Sequence, residues 1–295
     1  VNWRSFQQLQ KVVEIGDSFI SYIDEGKGPP VVLIHGIPMW GYLWHQQIPA
    51  LAETHRVLVP DLLGFGFSDK RDCFDRSISR QAEVIDQWMN ALDIDQAVIV
   101  AHDIGGGVAL RLATLFPHRV SKLCLLNTVC YDSWPIELML QAGHPETKRK
   151  MSASTATNVL SHALKQGFSH SPDASVMEGL LAPYRTEVGK LSLIRNASAL
   201  NTNLTTEITS RLPEIRVPAL ILWGEDDKFQ LLKYGERLAW DIPSASLIRI
   251  ENARHFVMLD QPDQVSRHLV DFLATPSESP RLEASPNGPS ATVKR

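Results

Sequence analysis

The stretch Ala101-His102-Asp103-Ile104-Gly105-Gly106-Gly107 sets one acidic side chain among small neighbours at the end of an apolar run. Small residues two before and two after Asp103 are what a sharp strand-to-helix turn requires, because a larger side chain there collides with the adjoining strand or helix. Such a turn lifts its central side chain to the carboxyl edge of a sheet. It also aims backbone N–H groups and a helix N-terminus at whatever that side chain attacks. Serine is the commonest centre, but Gly-x-Ser-x-Gly occurs nowhere in the chain. Asp103 is therefore the candidate nucleophile. Its structural alternative is a plain helix cap, a role Asp favours, and the elements that follow decide for the nucleophile.

His35-Gly36-Ile37-Pro38 follows another short apolar run. The backbone N–H groups of Ile37 and Ile104 are the expected donors to an oxyanion or leaving group. His35 itself reads as a structural histidine bonded to nearby backbone. Late in the chain, Leu222-Trp223-Gly224-Glu225-Asp226-Asp227 and Asn252-Ala253-Arg254-His255-Phe256 each follow an apolar run. They supply an acid and a histidine in the chain order nucleophile, acid, base. His255 is expected to take a proton from water, with Asp227 orienting the imidazole and stabilising its charged form. Asp226 is the alternative acid, and Asp132, after the middle strand, a less favoured one.

These groups need a scaffold that brings several strand ends together, and the apolar pattern describes one. Val12–Ile15 and Phe19–Ile23 flank Gly16-Asp17 as a hairpin. Val31–Ile34, Arg56–Val59, Gln96–Ala101, Lys122–Leu126, Ala219–Trp223 and Ser246–Ile250 read as further strands. Between them lie helical patterns: Leu43, Trp44, Ile48, Leu51 and Ala52 on one side of a first helix, then Ser77–Leu92, Val108–Phe116, Leu231–Trp240 and Asp263–Leu273. Strands alternating with helices imply right-handed crossovers and a largely parallel sheet, so the fold class is α/β. The alternation lapses from 131 to 212, where helical segments and polar turns suggest a lid over the site. The expected organisation is thus a core in two parts, 1–130 and 213–274, a helical cap at 131–212, and a disordered Ser- and Pro-rich tail at 275–295.

Composition excludes several classes. A hydrophobic content of 44% supports a full core, and a net charge of −4 gives no footprint for nucleic acid or an anionic membrane. Cys73, Cys124 and Cys130 show neither a disulfide framework nor zinc spacing. No signal peptide or membrane-length apolar run is visible, so a cytoplasmic setting is expected. No metal cluster, phosphate loop or nucleotide fingerprint is present, and the chemistry above requires no cofactor. The expected partners are a small apolar organic substrate and water, and a homodimer is left open.

HGIP, PDLLGFGFSD, HDIG, GEDD and ARHF in combination resemble the α/β-hydrolase superfamily from about Val12 to Leu273. The resemblance implies a mostly parallel eight-stranded sheet flanked by helices, with a helical lid inserted after its middle. An Asp preceded by His at the elbow looks like the branch containing epoxide hydrolases and haloalkane dehalogenases. It implies that the carboxylate attacks saturated carbon and that a histidine-activated water hydrolyses the resulting ester, chemistry that suits a carboxylate.

The resemblance also frames a choice of substrate. Haloalkane dehalogenases hold the halide with side-chain donors at the positions that are here Ile37 and Ile104, which have none. Fluoroacetate dehalogenases usually carry Arg where Ile104 stands. Epoxide hydrolases share HGxP and, in some cases, HDIG, and need a lid acid, usually a tyrosine pair, for the opening oxygen. Tyr131 and Tyr184 are the candidates here, with His144 and Trp134 as further pocket residues. Epoxide hydrolysis is thus the first expectation. Dehalogenation, with Trp134 or Trp40 supplying the donor, is the alternative. Cleavage of an activated ester or lactone, and a small-molecule receptor on the same fold, stay open.

Overall fold

The computed structural model describes residues 2–144 and 151–275. The expected tail, beyond Thr275, lies outside them. Eight strands form one sheet: β1 (Lys11–Ile15), β2 (Ser18–Glu25), β3 (Pro30–Ile34), β4 (Arg56–Pro60), β5 (Ala97–His102), β6 (Val120–Leu126), β7 (Ala219–Gly224) and β8 (Ala245–Ile250). Their order is β1-β2-β4-β3-β5-β6-β7-β8. The β1–β2 hairpin is antiparallel and β2 meets β4 antiparallel, while every later pairing is parallel.

The parallel strands are apolar without a break because both their faces are covered. Along β3, Val32 and Ile34 join the core on one side of the sheet, and Val31 and Leu33 the core on the other. Twelve helices are described: α1 (Trp3–Gln8), α2 (Ile48–Ala52), α3 (Ile78–Ala91), α4 (Ile104–Leu115), α5 (Glu137–Gly143), α6 (Ala153–Leu164), α7 (Ala174–Leu180), α8 (Glu187–Ser198), α9 (Asn203–Thr206), α10 (Leu232–Asp241), α11 (Val257–Asp260) and α12 (Pro262–Ala274). Helices α3 and α4 pack on the first side of the sheet, with Trp88, Val108 and Leu112 fully buried there.

Three expectations change. The single helix read over Leu43–Ala52 is a short 3-10 turn, Gly41–Trp44, followed by α2. Pro49 stands in the first turn of α2, where its missing N–H costs nothing; inside one longer helix it would leave a carbonyl unpaired. Helix α4 begins at Ile104 rather than Val108, so the glycine cluster is helical. Its low helix propensity is offset by close approach, since a Cβ on Gly106 would lie 1.5 Å from Thr128 Oγ1. The N-terminal α1 carried no periodic signal strong enough to read. It is capped by Asn2 and pinned by Phe6, whose ring meets Trp40 and Tyr42 edge-on.

Between Leu126 and Ala219 the described residues contain helices α5–α9 and 3-10 turns but no strand. Residues of this insertion, among them Trp134, Ile136, Leu138, Met139, Leu164 and Leu200, line a cavity together with Asp103 and His255. Among the described residues no helix is long and apolar enough to cross a membrane.

Candidate active site

Asp103 sits between β5 and α4 with φ 52° and ψ −124°, a conformation that costs a non-glycine residue on the order of 1–3 kcal/mol. The turn is held from three sides. Asp103 O accepts from the N–H groups of Gly106 (2.9 Å) and Val129 (3.1 Å), and Gly36 packs against the side chain so closely that a Cβ there would lie 2.4 Å from Asp103 Cβ. Asp103 stands at the N-cap position of α4, and its side chain makes no capping hydrogen bond there.

The two carboxylate oxygens of Asp103 have different surroundings. Oδ1 accepts the Ile37 N–H at 2.8 Å, and the Ile104 N–H, at the start of α4, also favours the charged carboxylate. Oδ2 faces His255 Nε2 at 3.7 Å, beyond hydrogen-bond length. Ile37 and Ile104 are the backbone donors expected for an oxyanion or a leaving group. The Ile37 N–H donates to the Asp103 carboxyl group itself, because the HGIP loop and the elbow abut at Gly36. Burial raises the Asp103 carboxyl above the usual range, against the opposing pull of His255 and these two donors.

His255, in the loop after β8, places Nδ1 3.0 Å from Asp227 Oδ2. Asp227 is buried whereas Asp226 is exposed, so of the two it is Asp227 that meets the His255 ring. The turn that bonds Asp227 N–H to Gly224 O directs Asp227 inward. Asp132 is exposed. Asp227 Oδ1 also accepts the Phe229 N–H at 2.7 Å, and Oδ2 accepts Asn127 Nδ2 at 2.7 Å. Burial disfavours the charged His255 ring, yet Asp227 and then Asp103 outweigh it and raise its pKa above the ordinary 6.5. With Nδ1–H donated to Asp227, Nε2 presents a lone pair toward Asp103.

The His255 loop is fixed by groups outside the triad. His102 Nε2 lies 3.0 Å from His255 O, Asp260 accepts the Arg254 N–H at 2.8 Å, and Phe256 N–H donates to Gly167 O at 3.1 Å. Burial pushes His102 well below its ordinary pKa, so the ring is neutral and serves as a spacer. His35 is structural as expected. It is fully buried between Gly36 O and the Leu62 N–H, and burial pushes its pKa down to about 4.

A cavity of about 430 Å³, including its open mouth, rises above Asp103 and His255. Trp134, Ile136, Leu138, Met139, Leu164 and Leu200 of the helical insertion line it. Only one of the predicted pocket residues is among them. Trp134 lines the cavity, but its Nε1–H is given to Thr205 Oγ1 at 2.7 Å. Tyr131 instead turns toward α10, donating to Asp241 at 2.7 Å beneath the Arg237 guanidinium. Tyr184 is buried within the insertion and is not a cavity residue; its hydroxyl has no partner among the described residues. Trp40 Nε1 donates to Gly179 O at 2.9 Å, away from the cavity, and His144 is exposed. Each was chosen for its side-chain type, and sequence distance carries no information on which way an insertion helix faces.

Two residues escaped the sequence reading. Asn127 follows β6, is fully buried at φ 39°, and bridges Asp227 to the Gly224 N–H (3.0 Å). A polar residue closing the apolar run Lys122–Leu126 was its only signal. Gln230 lines the cavity at 2% exposure with Oε1 unpartnered, and nothing in the sequence marked it.

Residues 29–262 match the family model of the alpha/beta hydrolase fold, and the chain belongs to that family. It is 28% identical over 286 residues to a cis-3-alkyl-4-alkyloxetan-2-one decarboxylase of Shewanella oneidensis, covering 90% of this chain and 88% of that one. It is also 28% identical to haloalkane dehalogenase 2 of Mycobacterium tuberculosis, covering 85% and 90%. The crystal structure of an alpha/beta hydrolase fold protein from Burkholderia ambifaria superposes with a TM-score of 0.82 at 28% identity, covering 89% of this chain and 99% of that one.

The raised pKa of His255 can be tested without a substrate. By NMR, the His255 ring is expected to titrate above 6.5 in the wild type and at a lower pH in Asp227→Asn, which removes its largest favourable partner. Wild-type titration below 6.5 would contradict the assigned pairing.

Proposed function

We propose that the chain is a hydrolase with Asp103 as nucleophile, acting at a saturated carbon whose leaving group departs as a stable anion. A haloalkane is the first substrate class. The observation that carries this reading is the division between the oxygens of Asp103: Oδ1 tied to the Ile37 N–H and Oδ2 left facing His255.

In the first step Oδ2 forms a bond to carbon as the carbon–halogen bond breaks and the halide leaves with the electron pair. In the second, His255 Nε2 takes a proton from water and the hydroxide oxygen adds to Asp103 Cγ. Negative charge then develops on Oδ1, where the Ile37 and Ile104 N–H groups already stand. Collapse expels the alkoxide, which recovers the proton from His255; the carboxyl group left at Asp103 then gives up the proton carried in by the water, through His255 to solvent, and the carboxylate is restored. Asp227 and Asn127 hold the imidazole in the tautomer that this transfer needs.

Epoxide hydrolysis, the expectation from HGIP and HDIG, falls behind because its opening oxygen needs a proton. None of the five tyrosines of the chain lines the cavity. A halide needs none. The same reasoning supports a second reading, a strained lactone that opens to a carboxylate, consistent with the alkyloxetanone decarboxylase among the relatives. A receptor role would leave the Asp103–His255–Asp227 arrangement without a use.

With the Trp134 N–H engaged, Gln230 offers the remaining side-chain amide among the described cavity residues, and with its NH₂ turned inward it can hold the departing anion. Hydrogen bonds to charged groups contribute about 1.5–3 kcal/mol. Gln230→Leu is therefore expected to slow ester formation roughly ten- to a hundredfold, read as the burst of halide release, with ester hydrolysis little changed. An unaltered burst would remove Gln230 from the mechanism.

The order of bond making is tested by one turnover of a bromoalkane in heavy-oxygen water. The label is expected in Asp103, found by peptide mass, and not in the alcohol, whose oxygen comes from Oδ2. Label in the alcohol of the first turnover would mean that water attacks the substrate directly.

A further inference from the structure

A second cavity, of about 530 Å³, lies within the helical insertion between α5, α6 and α8. Apart from Gln141 and Lys190 the described residues of its wall are apolar, with Ala142, Ala156, Leu160, Leu193 and Ile194 prominent. Neither polar group is free to receive a charged ligand. Lys190 Nζ donates to Met151 O at 2.7 Å and to Glu187, and Gln141 Nε2 donates to Glu137 at 2.9 Å.

The two cavities share Leu138, which lines both, and they follow the same pair of helices. On α6 the reactive cavity uses Leu164, whereas the second uses Leu160 and Ala156. These positions are spaced by four residues, so the second cavity continues the first at steps of about one helical turn, roughly 6 Å. On α5 the step is similar, from Met139 to Ala142. Leu138, half-buried, is the partition.

We infer that the second cavity is a subsite for the distal part of an unbranched alkyl chain whose reactive carbon sits at Asp103, with Leu138 as the partition the chain must pass. The inference rests on the reading of the first cavity as the substrate site and names the substrate class: long-chain rather than short-chain compounds. Among the described residues the wall offers no free charge, so it favours an apolar tail over a polar or anionic one, whose desolvation there would go uncompensated. Each methylene buried in such a channel contributes roughly a three- to fourfold gain in affinity.

The test is a binding series that needs no turnover. Primary alcohols from butanol to decanol are titrated calorimetrically into the wild-type protein, Ala156→Phe and Leu138→Ala. In the wild type, affinity is expected to climb roughly three- to fourfold per carbon through decanol. Ala156→Phe, which fills the second cavity, is expected to level off partway and lower the decanol-to-butanol ratio at least tenfold. Leu138→Ala, which removes the partition, is expected to raise that ratio, a change of opposite sign that general loss of folding cannot produce. A decanol-to-butanol ratio equal in all three proteins, or a wild-type series that levels off where Ala156→Phe does, would overturn the inference. Because the readout is binding, failure of the hydrolytic reading would show as normal titrations without turnover, and failure of this inference as turnover without chain-length dependence.

Discussion

A carboxylate at the floor of an apolar cavity can keep one oxygen unpaired only if the rest of its charge is compensated nearby, and the site is arranged around that constraint. Asp103 is 5% exposed, and an isolated ion so placed would protonate. The Ile37 and Ile104 N–H groups, the start of α4 and the His255 ring together oppose that tendency. The backbone at Asp103 holds a strained conformation, φ 52°, at the end of β5. Gly36 and Gly105 supply the room: a Cβ on Gly105 would lie 2.5 Å from His35 O.

The remaining charges extend this arrangement across the carboxyl edge of the sheet. Asn127 ends β6, Asp227 follows β7 and His255 follows β8, so three neighbouring strands each contribute one member of a hydrogen-bonded row. Asp227 receives three donors, which fixes its two oxygens and through them the His255 tautomer. His102, adjacent to Asp103 in sequence, reaches back to the His255 carbonyl and ties the elbow to the His255 loop. A shift in any one of these strand ends would be felt at Nε2.

Much of this scaffold is readable from the chain. Strands buried on both faces are near-continuous apolar runs, so β3, β5, β6 and β7 stand out, and the groups that follow them fall at one edge by topology alone. That is why Asp103, His255 and the Asp226–Asp227 pair were legible. The turn that selects Asp227 depends on a bond to Gly224 O, which no pattern encodes. Tyr131 and Tyr184 were sought as acids because of their chemistry, but the facing of an insertion helix is set by packing against several others. Tyr131 follows Cys130 into the core instead, at φ 51°. Gln230 is a single polar residue with no periodic or motif context, so only its burial and its unpartnered oxygen reveal it.

In the proposed mechanism Asp103 becomes covalently attached to its substrate. Replacing His255 by Gln removes the base that would hydrolyse the ester while leaving the nucleophile in place. After incubation of His255→Gln with pooled bromoalkanes, intact-mass spectrometry is expected to show one added alkyl group lacking halogen, located at Asp103 by peptide mapping. Repeating the incubation with β-lactones tests the second leaving group in the same way. Unmodified protein from both pools, in a variant shown to be folded, would contradict the carboxylate nucleophile on which the account rests.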